Sequence, residues 1–241
     1  MIGWRARIGF LVPPGNPTVE PEMATLAPAG VSVHFTRMHA TGTTGSLDGQ
    51  EARNRQMLDG LDTAMTLLAM VRPTVAVLAH TATSTTLGPE AEATLVAGME
   101  ARHACRFTTA FASVLAALES LGIRRIAYGT PYAMETTLRG KALLECHGIE
   151  VATFGVLPNV TNIYDETEAR AYQLGRQVDH PDAEAIFLSG VGMPTIGAIA
   201  PLEADLGKPV ISAATAMMWS ALQIAGVRTP LRGYGRLFDA R

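Results

Sequence analysis

Residues 74–88 read TVAVLAHTATSTTLG, a short apolar run that leads into a loop of hydroxyl-bearing residues. The run is rich in Val and Leu, which is typical of a strand buried on both faces of a parallel sheet. Ligands of α/β sheets bind beyond the carboxyl ends of such strands. His80 stands at this end, and it is the one side chain of the stretch that can exchange a proton near neutral pH. We therefore expect His80 at a functional site, among hydroxyls and backbone N–H groups that could hold an anion.

Outward from this stretch, the chain alternates strands and helices. Strands are predicted over residues 7–12, 31–37, 74–78, 125–130, 150–154, 183–188 and 210–212, and the longer helices over 52–70, 110–120, 169–178 and 213–225. Residues 81–88 are predicted to form a polar turn. Two rounds of strand, glycine- or hydroxyl-rich loop and helix indicate two similar α/β halves that face one another. We assign residues 1–115 plus 210–241 to the first half and 116–209 to the second, with the last helix packing on the first half.

Composition restricts the class of protein. Of 241 residues, 48% are hydrophobic and 17% charged, and the formal net charge is −3. A disordered chain is therefore not expected, nor is a protein that binds nucleic acid or an anionic membrane. The N-terminus does not resemble a signal peptide, and no apolar run approaches the roughly 20 residues of a membrane span. The sequence predicts a cytoplasmic protein.

Familiar cofactor and metal motifs are absent from the sequence. There is no P-loop, nucleophile elbow or HExxH pattern, and Gly190-Val191-Gly192 lacks the third glycine of a dinucleotide site. Cys105 and Cys146 have no CxxC spacing, so each is expected to be a small buried hydrophobic residue. A metal site built from histidines has no supporting spacing. We therefore expect no metal and no cofactor, but a pocket able to grip a carboxylate and move a proton, formed by Asn16, His80, Thr81, Tyr132 and backbone amides near Val191.

Several stretches resemble known enzymes. Residues 12–22 (VPPGNPTVEPE) and 34–38 (HFTRM) resemble the N-terminal signature of maleate cis–trans isomerases, and Thr130-Pro131-Tyr132 fits the same family. Residues 233–238 (GYGRLF) are closer to arylmalonate decarboxylase, and residues 188–192 (LSGVG) stand where that family has the loop around its catalytic cysteine. Both families belong to the aspartate/glutamate racemase superfamily. The resemblance implies two Rossmann-like parallel-sheet halves related by a pseudo-twofold, with the active site in the cleft between them.

The chain departs from this superfamily at its catalytic cysteines. The resemblance implies two cysteines, one from each half, or only the second in arylmalonate decarboxylase. By the motif match these positions fall on His80 and Gly190, and Cys105 and Cys146 lie outside both loops. Covalent addition of a thiolate to a double bond therefore has no nucleophile here.

The resemblance still implies an enzyme that works without a cofactor on a small carboxylate or dicarboxylate, by isomerisation or decarboxylation. His80 would act as the acid/base in place of the first cysteine. A developing oxyanion would be stabilised by Thr81, Tyr132 and the amides of Val191 and Gly192. Asn16 and Asn162 would hold a second polar group, and Gly190 would leave space.

Two alternatives remain open. His80 could activate water in a hydrolase or lyase, or the chain could be a non-catalytic protein that binds carboxylates. Met217, Met218 and Trp219 could suit the interface of a homo-oligomer, although a buried helix face explains them equally well.

Overall fold

Two parallel sheets make up the frame of the protein, in a computed structural model that describes residues 2–239. The strands are β1 (Ala6–Val12), β2 (Val31–Arg37), β3 (Val75–Leu78), β4 (Arg106–Thr109), β5 (Arg125–Thr130), β6 (Glu150–Val156), β7 (Ala185–Leu188) and β8 (Val210–Ser212). The first sheet has the order β2-β1-β3-β4 and the second the order β6-β5-β7-β8. The same order in both sheets shows that one half repeats the other, and it confirms the predicted α/β fold of two parallel-sheet halves.

Helices flank both sheets. They are α1 (Val19–Leu26), α2 (Gln50–Asp59), α3 (Leu61–Ala69), α4 (Thr81–Leu87), α5 (Pro89–His103), α6 (Ala110–Ser120), α7 (Met134–Cys146), α8 (Glu168–Val178), α9 (Ile196–Leu206) and α10 (Ala213–Ile224). Short 3₁₀ turns cover Ile163–Asp165 and Arg236–Phe238. Among the helices of residues 2–239, none is both long and apolar enough to cross a membrane.

The two halves exchange a helix. Helix α6 follows the last strand of the first sheet, yet its apolar side chains pack in the core of the second sheet. Helix α10 follows the last strand of the second sheet and packs against the first, as predicted. Met217 and Met218 of this helix are fully buried in that core, so they are core residues and not a free surface for a second copy.

The predicted boundaries between the halves differ from the structure at two points. Strand β8 hydrogen-bonds to β7, so residues 210–212 extend the second sheet, whereas they had been assigned to the first half. The boundary at residue 115 also falls inside α6. The rest of the division stays a prediction.

Three local elements differ from the sequence-based expectation. The helix predicted over 52–70 is two helices, α2 and α3, because Gly60 interrupts the apolar pattern between them. The predicted polar turn over 81–88 is helix α4, which ends at Gly88 with a left-handed φ of 76°. Its hydroxyl residues disfavour a helix locally, but burial of its first turn outweighs that preference. Helix α9 was not predicted at all; Pro201 within it is a residue that sequence rules take as a helix breaker.

Candidate active site

His80 lies where β3 ends and α4 begins, as the residue that caps the helix. Its backbone is extended, and its side chain is 5% exposed. The imidazole lines a cavity of about 20 Å³, which is room for roughly one water molecule. The other walls of the cavity come from both halves and include Pro13, Pro14, Thr44, Gly45, Ser46, Gln50, Arg53, Asn54, Ile163 and Tyr164.

The surroundings of His80 favour the uncharged imidazole. Burial lowers the pKa of His80 to about 4, with a smaller contribution from the positive charge of Arg53. His80 is therefore neutral at neutral pH, and a neutral imidazole is ready to accept a proton. Nδ1 of His80 is buried and has no hydrogen-bond partner in the described part of the chain. A polar atom left in this way beside a cavity is available to a ligand.

Arg53 and Tyr164 are members of the site that the sequence reasoning missed. Arg53, on α2, donates from Nη1 to the backbone oxygen of Asp48 at 2.6 Å and from Nη2 to that of Ser46. Tyr164 comes from the second half, and burial raises its pKa to about 12. Neither residue stands at a strand end, so only the folded chain brings them beside His80.

Thr81, which directly follows His80, forms a hydroxyl pair with Tyr132 of the second half. Their oxygens lie 3.2 Å apart, and both side chains are buried. Burial raises the pKa of Tyr132, which keeps its hydroxyl protonated. The pair borders a second, smaller cavity of about 10 Å³ together with Phe111, Tyr128, Phe187 and Ser189. The loops after β3 and β5 thus meet here, and they bring two hydroxyl donors close to His80.

The loop after β7 presents glycines and backbone groups. Gly190 has a left-handed φ of 98°, and a side chain there would place its Cβ 2.9 Å from Cγ of Pro131. The carbonyl oxygen of Val191 accepts a hydrogen bond from Nδ2 of Asn16 at 3.0 Å, and that of Gly192 accepts one from Oγ1 of Thr18 at 2.8 Å. Side chains of the first half therefore hold this loop of the second half through hydrogen bonds to the carbonyl groups of the loop.

A buried carboxylate secures the end of the same loop. Oε1 of Glu22, on α1, accepts hydrogen bonds from the N–H groups of Thr195 at 2.6 Å and Ile196 at 3.0 Å. Burial raises the pKa of Glu22 to about 7, although the two backbone donors oppose this rise. Oε2 of Glu22 has no partner in the described chain. Glu22 thus links the two halves next to the site without touching His80.

The two asparagines chosen from the sequence bind protein groups in this structure. Oδ1 of Asn16 accepts hydrogen bonds from the N–H groups of Thr18 and Val19, at 2.8 Å and 2.9 Å. Oδ1 of Asn162 accepts from the N–H of Tyr164 at 2.9 Å, and its Nδ2 donates to the oxygen of Thr44 at 3.3 Å. Asn16 lies between the halves, and Asn162 joins the loop before α2 to the second half. Their contact with a substrate stays a prediction.

Neither cysteine lies at this site. Cys105 precedes β4, so it lies at the amino-terminal end of the parallel strands, whereas His80 lies at their carboxyl end. Cys146 is the last residue of α7. Cys105 is buried as expected, but Cys146 is exposed because it ends a helix on the surface. Within residues 2–239 no three His, Cys, Asp or Glu side chains are placed to hold a metal ion. Neither thiol lines the cavity beside His80.

Two facing parallel sheets, with the candidate proton-transfer residue at a strand end between them, define the racemase-like superfamily to which maleate isomerases and arylmalonate decarboxylases belong. The arylmalonate decarboxylase family model matches residues 8–238. The chain therefore belongs to the arylmalonate decarboxylase family, and it is an enzyme of a superfamily of isomerases and decarboxylases. The superfamily inferred from the sequence is confirmed.

Individual relatives show how far the similarity extends. Arylmalonate decarboxylase of Bordetella bronchiseptica is 32% identical over 63% of this chain, and the match spans 65% of that relative. Maleate isomerase of Nocardia farcinica is 28% identical over 96% of this chain and 94% of its own length. The crystal structure of the maleate isomerase Iso from Pseudomonas putida S16 has a TM-score of 0.88 at 25% identity, covering 97% of this chain and 98% of that one. A liganded mutant of arylmalonate decarboxylase has a TM-score of 0.82 at 26% identity, covering 98% of this chain and 100% of that one.

Proposed function

We propose that the enzyme decarboxylates or isomerises a small carboxylate, and that His80 transfers the proton at the carbon next to a carboxylate group. One observation carries this proposal. The imidazole of His80 is buried at the carboxyl end of β3, lines the cavity between the halves, and has an unpartnered Nδ1. The family relatives support it, because they are named for the decarboxylation of arylmalonates and the isomerisation of maleate.

The neutral imidazole suits isomerisation directly, whereas decarboxylation requires that His80 first become protonated. Isomerisation by this route needs a substrate with an acidic C–H bond beside its carboxylate: the neutral imidazole accepts that proton, and the imidazolium formed returns a proton to the product. In decarboxylation, the bond to the leaving carboxylate breaks, and its electron pair stays on the substrate as an enediolate. His80 must then arrive protonated, and an anionic substrate beside it raises its pKa in that direction. The imidazolium gives its proton to the carbon and is recharged from solvent.

The developing oxyanion would be held by hydrogen-bond donors around the same position. The hydroxyls of Thr81 and Tyr132 are 3.2 Å apart and next to His80. The carbonyl oxygens of Val191 and Gly192 face the first half, which leaves the N–H groups of this loop to serve the substrate. Loss of one such donor typically lowers kcat about 10²–10³-fold. Gly190 does not leave space as the sequence predicted, because an added Cβ there would lie 2.9 Å from Cγ of Pro131 and 3.4 Å from the hydroxyl of Tyr132.

Proton NMR of the purified enzyme in D₂O tests the proposal, with maleate and a panel of substituted malonates and dicarboxylates. We expect either loss of a carboxylate or entry of deuterium at the carbon beside one. His80→Ala should reduce this activity by about 10²–10⁴-fold, the usual contribution of a general acid/base. His180→Ala is the matched control, because His180 lies in the second half with a side chain that is 43% exposed. It should retain full activity.

Two results would contradict the proposal. Turnover that survives in His80→Ala would exclude His80 as the group that moves the proton. Binding of the whole panel without turnover in the wild-type enzyme would instead favour a carboxylate-binding protein.

A second candidate function has one observation in its favour. The cavity beside His80 has room for roughly one water molecule, and a neutral imidazole can activate water for hydrolysis. Reaction in H₂¹⁸O separates the two functions. Hydrolysis places ¹⁸O in the organic product, whereas decarboxylation and isomerisation by proton transfer leave the organic product unlabelled.

A further inference from the structure

We propose that Arg53 binds a carboxylate of the substrate and makes the enzyme selective for molecules that carry a second carboxylate. This inference rests on the proposed function and deepens it, because it assigns a specificity-determining residue to the same site. The sequence gives no hint of this role. Arg53 stands in the polar helical stretch EARNRQ, where arginines are ordinarily solvated surface residues.

The positive charge beside the cavity favours an anionic ligand. Arg53 and His80 line the same cavity, and the positive charge of Arg53 lowers the pKa of His80. Within residues 2–239 no carboxylate lies within ion-pair distance of the Arg53 guanidinium. The nearby acid Glu51 contacts Arg55 at 2.8 Å and Arg139 at 3.4 Å instead. A cation without a counter-ion beside a cavity is an arrangement that favours an anionic ligand.

The donors of Arg53 are bound to backbone carbonyl groups. Its guanidinium donates to the backbone oxygens of Ser46 and Asp48, in the loop between β2 and α2. Both acceptors are neutral carbonyl groups. A carboxylate forms hydrogen bonds with a guanidinium that are shorter and roughly twice as strong, and it can bind both arms of the fork at once. A substrate carboxylate can therefore displace these carbonyls from Arg53.

The hydrogen-bond donors around His80 are divided between two cavities. Thr81 and Tyr132 border one cavity, and His80 and Arg53 border the other, so two consecutive residues, His80 and Thr81, belong to different cavities. One carboxylate of a substrate would be held by the hydroxyls and amides on one side. The second would meet Arg53 on the other side, and the carbon between them would face His80. A monocarboxylate can satisfy only one of these two sites.

The test compares dicarboxylates with their monomethyl esters in wild type, Arg53→Gln, Arg53→Lys and Arg55→Gln. The measurements are kcat/KM for the substrates found by NMR, and Kd by calorimetry for maleate and monomethyl maleate. Arg55→Gln is the control, since Arg55 lies on the same helix and pairs with Glu51 on the surface. A check by circular dichroism and thermal unfolding shows whether each variant is folded.

We expect Arg53→Gln to weaken dicarboxylate binding by about 10–100-fold, as loss of a hydrogen-bonded charged partner usually does. Binding of the monoester should change by less than about threefold. The preference for the diacid should therefore nearly disappear, and Arg53→Lys should restore part of it. Equal losses for diacid and monoester in both Arg53 variants, or an equal loss of preference in Arg55→Gln, would overturn the inference.

The outcome separates this inference from the proposed function. If maleate binds through Arg53 but nothing on the panel reacts, the inference stands and the catalytic proposal fails. If His80-dependent turnover is found and Arg53→Gln keeps the full preference for diacids, the catalytic proposal stands and the inference fails.

Discussion

The loops that follow β3 and β7 occupy equivalent positions in the two halves, yet they are built in different ways. After β3 the chain turns at once into helix α4, with His80 as its cap, and the loop satisfies many of its own polar groups. After β7 the chain runs without regular structure from Ser189 to Thr195 before α9 begins. Its backbone is held by side chains of the other half, namely Asn16, Thr18 and Glu22.

This difference indicates a division of labour between the halves. The first loop supplies the group that can carry a proton, on a short rigid element. The second loop supplies backbone groups, and its position depends on side chains of the first half. A substitution in the first loop should therefore change the chemistry, whereas substitutions that release the second loop should change stability first.

Glu22→Gln should give the largest effect on stability. The pKa of Glu22 is raised to about 7 in the folded protein from an ordinary value of 4.5. The folded state therefore favours the protonated form, and its stabilising contribution is full below pH 4.5 and is lost as the pH rises to 7. This shift corresponds to about 3 kcal/mol of unfolding free energy. Gln cannot ionise, so the variant should not lose stability between pH 4.5 and pH 7. Its free energy of unfolding should therefore increase relative to that of the wild type across this pH range.

Urea unfolding of both proteins between pH 4 and pH 8 checks this prediction. Glu20→Gln is the control on the same helix, where Glu20 pairs with Arg37 on the surface. If the stability of wild type and Glu22→Gln changed with pH in the same way, ionisation of Glu22 would not destabilise the loop after β7. The described difference between the two loops would then be wrong.

Gly190→Ala should give the next largest effect. The left-handed φ of 98° is unfavourable for alanine, and the new Cβ would press on Pro131. Together these effects should cost about 2 kcal/mol of unfolding free energy. Gly207→Ala is the matched control, because Gly207 also has a left-handed φ, of 69°, but nothing lies within 4 Å of the position of a Cβ. Urea unfolding measures the loss of stability in both variants. Equal losses would show that backbone conformation alone explains the cost and that close packing at Gly190 does not contribute.

Asn16→Ala should have the smallest of the three effects. It removes the hydrogen bonds that Asn16 accepts from the N–H groups of Thr18 and Val19 at the start of α1, and the one that it donates to the oxygen of Val191; a hydrogen bond typically contributes about 1 kcal/mol net. Amide hydrogen exchange should show faster exchange in α1 and in residues 190–195, with α4 unchanged. If α4 exchanged faster as well, the two loops would have to be treated as one unit.

The sequence was sufficient for the architecture and for the strand ends. His80, Thr81 and Gly190 follow buried apolar runs, and the parallel order of strands brings such ends to one edge. The family resemblance added the pairing of the two halves. Gly60, which splits one predicted helix into two, was visible in the sequence, but the apolar spacing on both sides of it predicted a single helix.

The rest of the site depends on contacts between distant segments. Arg53 and Tyr164 lie 27 and 84 residues from His80 along the chain, one on a helix and one in a loop, and nothing local distinguishes them. Helix α4 forms from residues of low helix propensity because its first turn is buried between the halves. The amides of Asn16 and Asn162 bind protein groups, which the residue types alone did not indicate.

The exchanged helices α6 and α10 restrict how a substrate can reach His80. They pack on each other as well as on the opposite sheets, so a swing of one half away from the other would pull both helices from their cores. A clamshell motion would therefore expose much of the apolar interior at once. The segment between β2 and α2, which borders the cavity, is held by hydrogen bonds to Arg53, Asn162 and Ile163, so entry past this segment would break far fewer contacts than a separation of the halves.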